Sequence, residues 1–409
     1  MATQKRDLRT GRSYWMSRPL PPVPVAPLAA DVATDVLVVG AGISGALTAE
    51  ALAADGHKVV IVDRRGPVRG STPASTALVE FEIDVPLVKL AGQIGLPAAE
   101  RAWRRSRLAV DSLAARTRAL GIACDLVRRD NLYLAGDMLD ADRRAAECAA
   151  RRAAGIETRL LSRRELKEGF GIAREAALLA YDDIALDPRR LTAGYLRAAV
   201  EQGAHIHAPV DVTDIAVARS GITASTRDGP AIRCKHLILA TGYEIAHMVP
   251  KRGHQVASTY VIATKPQPRK LWPGECFIWE ASETYLYVRT TPDGRIICGG
   301  EDEDFADDAA RDELIPKKVA AIRRKLGKLL PGIDTTPDYA WAGAFGVSDT
   351  GLPSIGEIPG KKNCWAVLGF GGNGITYSRI AADIIRAALA GKADPDAGLY
   401  AFRRSRADR

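Results

Sequence analysis

The chain has 409 residues, 47% hydrophobic and 26% charged, the make-up of an ordinary soluble globular protein of two or three domains. Its formal charge of +8 is spread along the chain and interleaved with acidic residues, so it reads as a solvated surface that attracts small anions, not as a nucleic-acid face. The six cysteines form no C-x-x-C pair and no zinc spacing, so no metal site is expected and a reduced, cytoplasmic setting is.

Residues 1–32 read as an extended, proline-rich arm pinned to the body by Tyr14, Trp15 and Met16. Prolines break its one apolar stretch, so neither a signal peptide nor a membrane span is expected there. The run 36–39 is continuously apolar, as in a strand buried on both faces. A helix over 43–54 and a second buried strand over 59–62 complete a β-α-β unit, so that sheet is parallel. A helix is predicted over 98–120, with Trp103, Val110, Leu113, Thr117 and Leu120 on one stripe. A strand pair around Asp130 and Asn131 follows, then a helix over 141–154. Ser162 and Glu165 form a capping box. Asp187 and Pro188 open a helix that runs to about Gln202. Short strands are predicted over 206–215, 222–226 and 232–239. Residues 255–300 alternate around the turn Asp293-Gly294, as antiparallel strands do. A basic amphipathic helix over 316–330 and a closing helix over 375–389, entered by a glycine-rich turn, end the chain.

Gly40-Ala41-Gly42-Ile43-Ser44-Gly45 is a G-x-G-x-x-G that follows a strand and opens a helix, and the next strand ends at Asp63. That is the context of a dinucleotide site. Gly40 permits the tight turn, Gly42 the approach of backbone to pyrophosphate, and Gly45 close helix–strand packing. Asp63 is placed to accept hydrogen bonds from a ribose hydroxyl. Arg64 and Arg65 follow it on the cofactor side. They would suit the 2′-phosphate of NADP, but Asp63 would repel that group.

Three further segments accompany this motif: Gly70-Ser71-Thr72-Pro73-Ala74-Ser75-Thr76 with Glu82-Ile83-Asp84 behind it, Leu237 to Gly242, and Gly369 to Thr376. In this order they resemble the D-amino-acid oxidase superfamily, in the branch of glycine, sarcosine and gamma-glutamylputrescine oxidases, over residues 33–390. The resemblance implies an α/β fold: a Rossmann-like FAD-binding domain and a second α+β domain built on an antiparallel sheet. It implies a discontinuous FAD domain over 33–85, 181–250 and 339–409, and a substrate domain over 86–180 and 251–338. It further implies that Ser71, Thr72, Ser75 and Thr76 meet pyrophosphate and flavin, that Val212 reads the adenine edge, and that Ala240, Thr241 and Gly242 let the backbone approach the nucleotide. Gly371, Gly372, Asn373, Gly374, Ile375 and Thr376 would stabilise negative charge at the flavin pyrimidine through N–H groups and the helix dipole. Gly343 borders the flavin. No Cys in 343–346 and no His in 70–76 means non-covalent FAD.

The resemblance implies oxidation of the C–N bond of a primary or secondary amine or amino acid by hydride transfer to flavin N5, giving an imine that water hydrolyses. Such chemistry asks for positioning more than for a side-chain base. Phe345 stands where glycine oxidase-like members carry an arginine for the substrate carboxylate, and Arg289 is a candidate replacement. In an alternating strand Tyr285, Tyr287 and Arg289 share one face; they form either a wall of the substrate pocket or a solvated sheet face. An amine bearing a carboxylate or an aromatic group is the expected substrate. Thr376 stands where sarcosine oxidase-like members carry a lysine, so an electron acceptor other than oxygen is left open beside oxygen. Asp182 and Asp183 read as a surface loop, the alternative being an approach to the inner face of the substrate domain where one pairs with a substrate amine. The acidic run 301–304 reads as a solvated turn, and His205 and His207 as structural. Two alternatives remain: a C–OH dehydrogenase like those of glycerol 3-phosphate, and a flavoprotein acting on tRNA.

Overall fold

A computed structural model describes residues 2–137, 139, 141–282 and 285–402. Two sheets organise the described residues. The smaller is parallel at its centre, in the order His205–His207, Val59–Val62, Val32–Val39, Ala231–Leu239, Cys364–Leu368, and Ser354–Glu357 adds an antiparallel edge. Strands Val59–Val62 and Val32–Val39 are apolar because helices cover both faces of such a sheet. The helix Ile43–Ala54 between them is buried from Ser44 to Ala53, so its small alanines, rather than an amphipathic stripe, set its fit.

The larger sheet is antiparallel except where Phe277–Glu280 pairs with Val127–Leu134. Its order is Arg9–Gly11, Pro337–Ser348, His254–Thr264, Ile296–Glu303, Leu286–Thr290, Phe277–Glu280, Val127–Leu134, Ala176–Ala185, Leu78–Val79, and Thr158–Ser162 also pairs with Ala176–Ala185. Leu78–Val79 and Pro337–Ser348 thus give their hydrogen bonds to this sheet, although most of each strand lies in a segment expected in the FAD domain. Helix Asp308–Leu329 covers one face, burying Ile322, Leu326 and Leu329. The other face turns toward the smaller sheet: one core cluster joins Val36, Val38 and Ile61 to Val261, Ile297 and Trp341.

Most predicted elements form, and three details differ. Residues 127–134 are one strand, not a pair; Asn131 is buried in it and hydrogen-bonds across the sheet instead of turning the chain. Met16 is 40% exposed, whereas Tyr14 and Trp15 are buried, so two residues rather than three pin the arm. Asp183 is fully buried in strand Ala176–Ala185, with one oxygen accepting from the Phe81 N–H and the other from Asn131 Nδ2. A bulge between Arg129 and Asn131 opposite Ala180–Asp183, with Asp182 at φ +66°, turns Asp183 inward.

Candidate flavin and substrate site

The glycine turn opens a cleft along the carboxyl ends of the central parallel strands, with an empty volume of about 940 Å³ including its mouth. A Cβ on Gly40 would collide with the Ala240 carbonyl, and one on Gly45 with the Gly40 carbonyl; only glycine lets helix and strand close this tightly. Gly40 also holds φ +117°. Gly42, Ile43, Ser44, Asp63, Gly70, Ser71, Thr72, Val212, Ala240, Thr241, Gly242 and Gly374 line the cleft, so the sequence motifs do converge there. The Ser44 hydroxyl turns away to Ser378 at 2.7 Å, leaving the backbone of the turn toward the cleft.

Asp63 accepts from the N–H groups of Ala41, Arg65 and Gly66 at 2.9, 2.7 and 2.9 Å. Burial nevertheless raises its carboxyl above the ordinary range, against the pull of those donors. Arg64 and Arg65 also line the cleft, but Arg65 is bound by Glu244 at 2.6 and 2.8 Å. Arg64 pairs with Asp211 at 3.1 Å and hydrogen-bonds Thr3. Their charges are neutralised by the protein, so neither is a waiting partner for a 2′-phosphate. The arm itself lines the cleft through Ala2, Thr3 and Leu8, and the Arg6 N–H donates to Glu244 at 2.7 Å. No periodicity in the arm announced this; Glu244, two residues past Gly242, was equally silent.

Beyond the cleft, four consecutive carbonyls of the second motif are held by side chains. Trp341 donates to Ala74 at 2.8 Å and Trp15 to Ser75 at 2.7 Å, and Arg289 Nη1 donates to Thr76 and Ala77. Gly343 lies against the same segment, since a Cβ there would come 3.0 Å from the Ala74 methyl. On the other side, Asn373 donates to the Glu82 carbonyl, Thr376 Oγ1 to that of Glu80 at 2.8 Å, and the Gly372 N–H to Asp84 at 2.9 Å. A Cβ on Gly371 would strike Asp84. Ile375 packs into the core one residue inside the helix Gly374–Leu389. Asp84 keeps solvent-accessible surface, yet enough protein surrounds it that desolvation raises its carboxyl.

The inner face of the larger sheet carries Thr259, Tyr285, Tyr287 and, unexpectedly, Asp302. The Tyr287 hydroxyl lies 2.8 Å from Thr259 Oγ1, and the two tyrosine rings are 5.7 Å apart. Asp302 reaches this face through a bulge: Tyr260 pairs with Gly300 but Ser258 with Glu303, so one extra residue is inserted and the alternation flips. Glu301 takes φ +59° and Gly300 φ +140° to do so. Glu301 and Glu303 instead meet Lys325 and Lys318 of the outer helix. The run 301–304 is therefore not a solvated turn. The missed signal was the pair Gly299-Gly300 inside an apolar strand, a mark of a bulge or of close approach; a Cβ on Gly299 would collide with the Tyr287 ring.

Burial raises the Asp302 carboxyl from 3.8 to about 6, against lowering hydrogen bonds from Thr259 and Tyr285, and Asp84 faces it closely enough to push it up further. Burial, and then the charge of Asp302, hold the Tyr285 hydroxyl well above its usual range. Arg289 does not join this group: its guanidinium is spent on the carbonyls of Thr76, Ala77, Leu186 and Thr290. The single aromatic and cationic wall expected of Tyr285, Tyr287 and Arg289 is thus divided. Phe345 is half-buried and adjoins Gly343 and Trp341 on alternate positions of its strand. Among the described residues no cluster of potential metal ligands forms, and no helix is long and apolar enough to cross a membrane.

A family model described as FAD dependent oxidoreductase matches residues 35–388. The oxidoreductase OrdL of Haemophilus influenzae is 23% identical over 396 residues, covering 93% of this chain and 88% of that protein. The gamma-glutamylputrescine oxidoreductase of Escherichia coli is 23% identical over 401 residues, covering 93% and 89%. The crystal structure of glycine oxidase from Geobacillus kaustophilus superposes with a TM-score of 0.73 at 21% identity, over 91% of this chain and 99% of that one.

Proposed function

As a member of the family of FAD-dependent oxidoreductases, the chain uses FAD, and we propose that it oxidises the C–N single bond of an amine whose other end is cationic. The glycine cradle of Gly40, Gly42 and Gly45 fits the pyrophosphate, and Asp63 fits a ribose. Bound FAD supplies the hydride acceptor at N5 of its ring.

Asp302 carries the reading of the substrate. Among the described residues its buried Oδ1 has no hydrogen-bond partner and neither oxygen forms an ion pair, Lys318 being taken by Glu303 at 2.6 Å. A buried carboxylate oxygen with no donor is costly, and a substrate ammonium removes that cost. Asp84 adds negative potential from the opposite wall. Tyr285 and Tyr287 offer ring faces to the methylene chain between the two nitrogens, and their hydroxyls stay protonated as donors. An anionic substrate would meet two carboxylates here and no free arginine, so this reading favours a cationic far end over the carboxylate-bearing amine expected from the sequence. Desolvation at the reacting end favours the neutral amine, the form that can lose hydride. Water then hydrolyses the released imine.

The test is anaerobic titration of the FAD-loaded protein with an α,ω-diamine, a monoamine of equal length, an N-methyl amino acid and a hydroxy acid. The diamine should bleach the flavin band at the lowest concentration. Bleaching by the amino acid or hydroxy acid alone refutes the proposal. Admission of air to the reduced sample then separates oxygen from other acceptors.

A further inference from the structure

A second cavity, outside the dinucleotide cleft, lies between strand Val127–Leu134, the segment 268–275 and the turn 291–294, with an empty volume of about 730 Å³ including its mouth. Arg289 lines it and is only 2% exposed. Nη1 and Nε of this side chain donate to backbone carbonyls. Among the described residues Nη2 forms no hydrogen bond and no carboxylate pairs with the guanidinium, which lies over the Trp15 ring at 5.4 Å. Arg129 lines the same cavity. Its Nε is buried without a partner, and it holds Glu275 at 3.5 Å, long for a charge-assisted contact.

The neighbouring charges otherwise cancel. Arg18 and Arg190 face Asp125 and Asp187, and Arg129 faces Glu275. Arg289 is left as one buried positive charge without a counter-ion. Burial, and next the like charge of Arg129, push its pKa down to about 9. Buried charges are retained when they are paired, and the guanidinium fork matches the oxygens of carboxylate and phosphate. We propose that this cavity binds a small singly charged oxyanion, a carboxylate or a phosphate monoanion, between Arg289 Nη2 and Arg129. The site is independent of the amine reading. Because Arg289 also grips Thr76 and Ala77, the anion braces the segment that follows the second cofactor motif.

The experiment is calorimetric titration of the FAD-loaded protein with acetate and with inorganic phosphate at constant ionic strength, paired with thermal melting. One saturable site per chain and a rise in Tm of a few degrees are expected. The tighter of the two ligands tells a carboxylate metabolite from a phosphate ester. Arg129→Gln should weaken binding by about tenfold, the loss of one charged donor, with FAD content and amine turnover unchanged. Arg129→Lys should recover part of it. No saturable heat with either anion, an equal Tm rise with chloride, or undiminished binding in Arg129→Gln overturns the assignment.

Discussion

Replacing Asp302 by Asn should stabilise the protein and damage its substrate binding at once. Asp302 titrates near 6 instead of 3.8, so the folded state holds its proton more tightly than the unfolded chain does. The fold therefore loses stability as pH rises through about 6. A raise of about two pH units corresponds to ~3 kcal/mol at pH 8; water in the open hollow makes this an upper bound. Asn keeps the shape and removes the charge. For 409 residues at about 2.1 cal/mol/K each, 3 kcal/mol is roughly 3 °C in Tm if the chain unfolds as one unit. The bound ammonium meanwhile loses a charge-assisted partner worth ~1.5–3 kcal/mol, which raises KM for the diamine about 10- to 150-fold. In the wild type KM should climb below about pH 6, as Asp302 takes up its proton, and Asp302→Asn should lack that limb. Melting at pH 8 and a KM–pH profile check both halves. A fall in Tm, or an unchanged diamine KM, would show that Asp302 is a structural acid and not the substrate's anchor.

Gly45→Ala drives a methyl into the Gly40 carbonyl, so the protein should purify with most of its FAD lost, read from the ratio of flavin to protein absorbance. Arg151 is wholly buried between Glu82 at 3.1 Å and Glu147 at 2.8 Å. Arg151→Met strands both carboxylates and should cost ~3–5 kcal/mol by denaturant melting, with much of it regained when Glu82→Gln and Glu147→Gln are added. Trp15→Ala empties a fully buried site in the arm and should cost ~3–5 kcal/mol; limited proteolysis should then cut within residues 1–32 first.

What could be read along the chain was whatever its own neighbours decide. Asp187 and Pro188 cap their helix because capping is a contact over two or three residues, and Asp187 does accept from the Arg189 and Arg190 N–H groups. The Ser162–Glu165 box closes for the same reason. The glycine turn was legible because Gly45 averts a collision with the Gly40 carbonyl inside one strand–turn–helix unit, even though Gly40 itself makes room for the distant Ala240 carbonyl. Arg289 was misjudged despite a correct strand. Its face was right, but what that face meets, the carbonyls of residues 76, 77 and 186, comes from two distant segments.

Asp302 shows why the substrate wall was the least legible part. Period-two reasoning needs an unbroken count, and a single inserted residue inverts every assignment beyond it. The Gly300–Glu301 bulge sits between the tyrosine pair and the acidic run, so Glu301 and Glu303 take the lysines of the outer helix while Asp302 crosses to the inner face. In sequence the three acids are equivalent. Fold and packing give two of them a lysine partner on the outer face and, among the described residues, leave the third on the inner face without one. Glu301 is the inserted residue, so its deletion should restore the count yet leave Asp302 opposite Thr259 and Glu303 opposite Ser258. Only the Lys325 pair is lost, and both diamine binding and the FAD cleft, which no residue of this strand lines, should survive. Loss of diamine turnover in that deletion, with FAD still bound, would mean that the anchor lies elsewhere, with Asp84 the first residue to test.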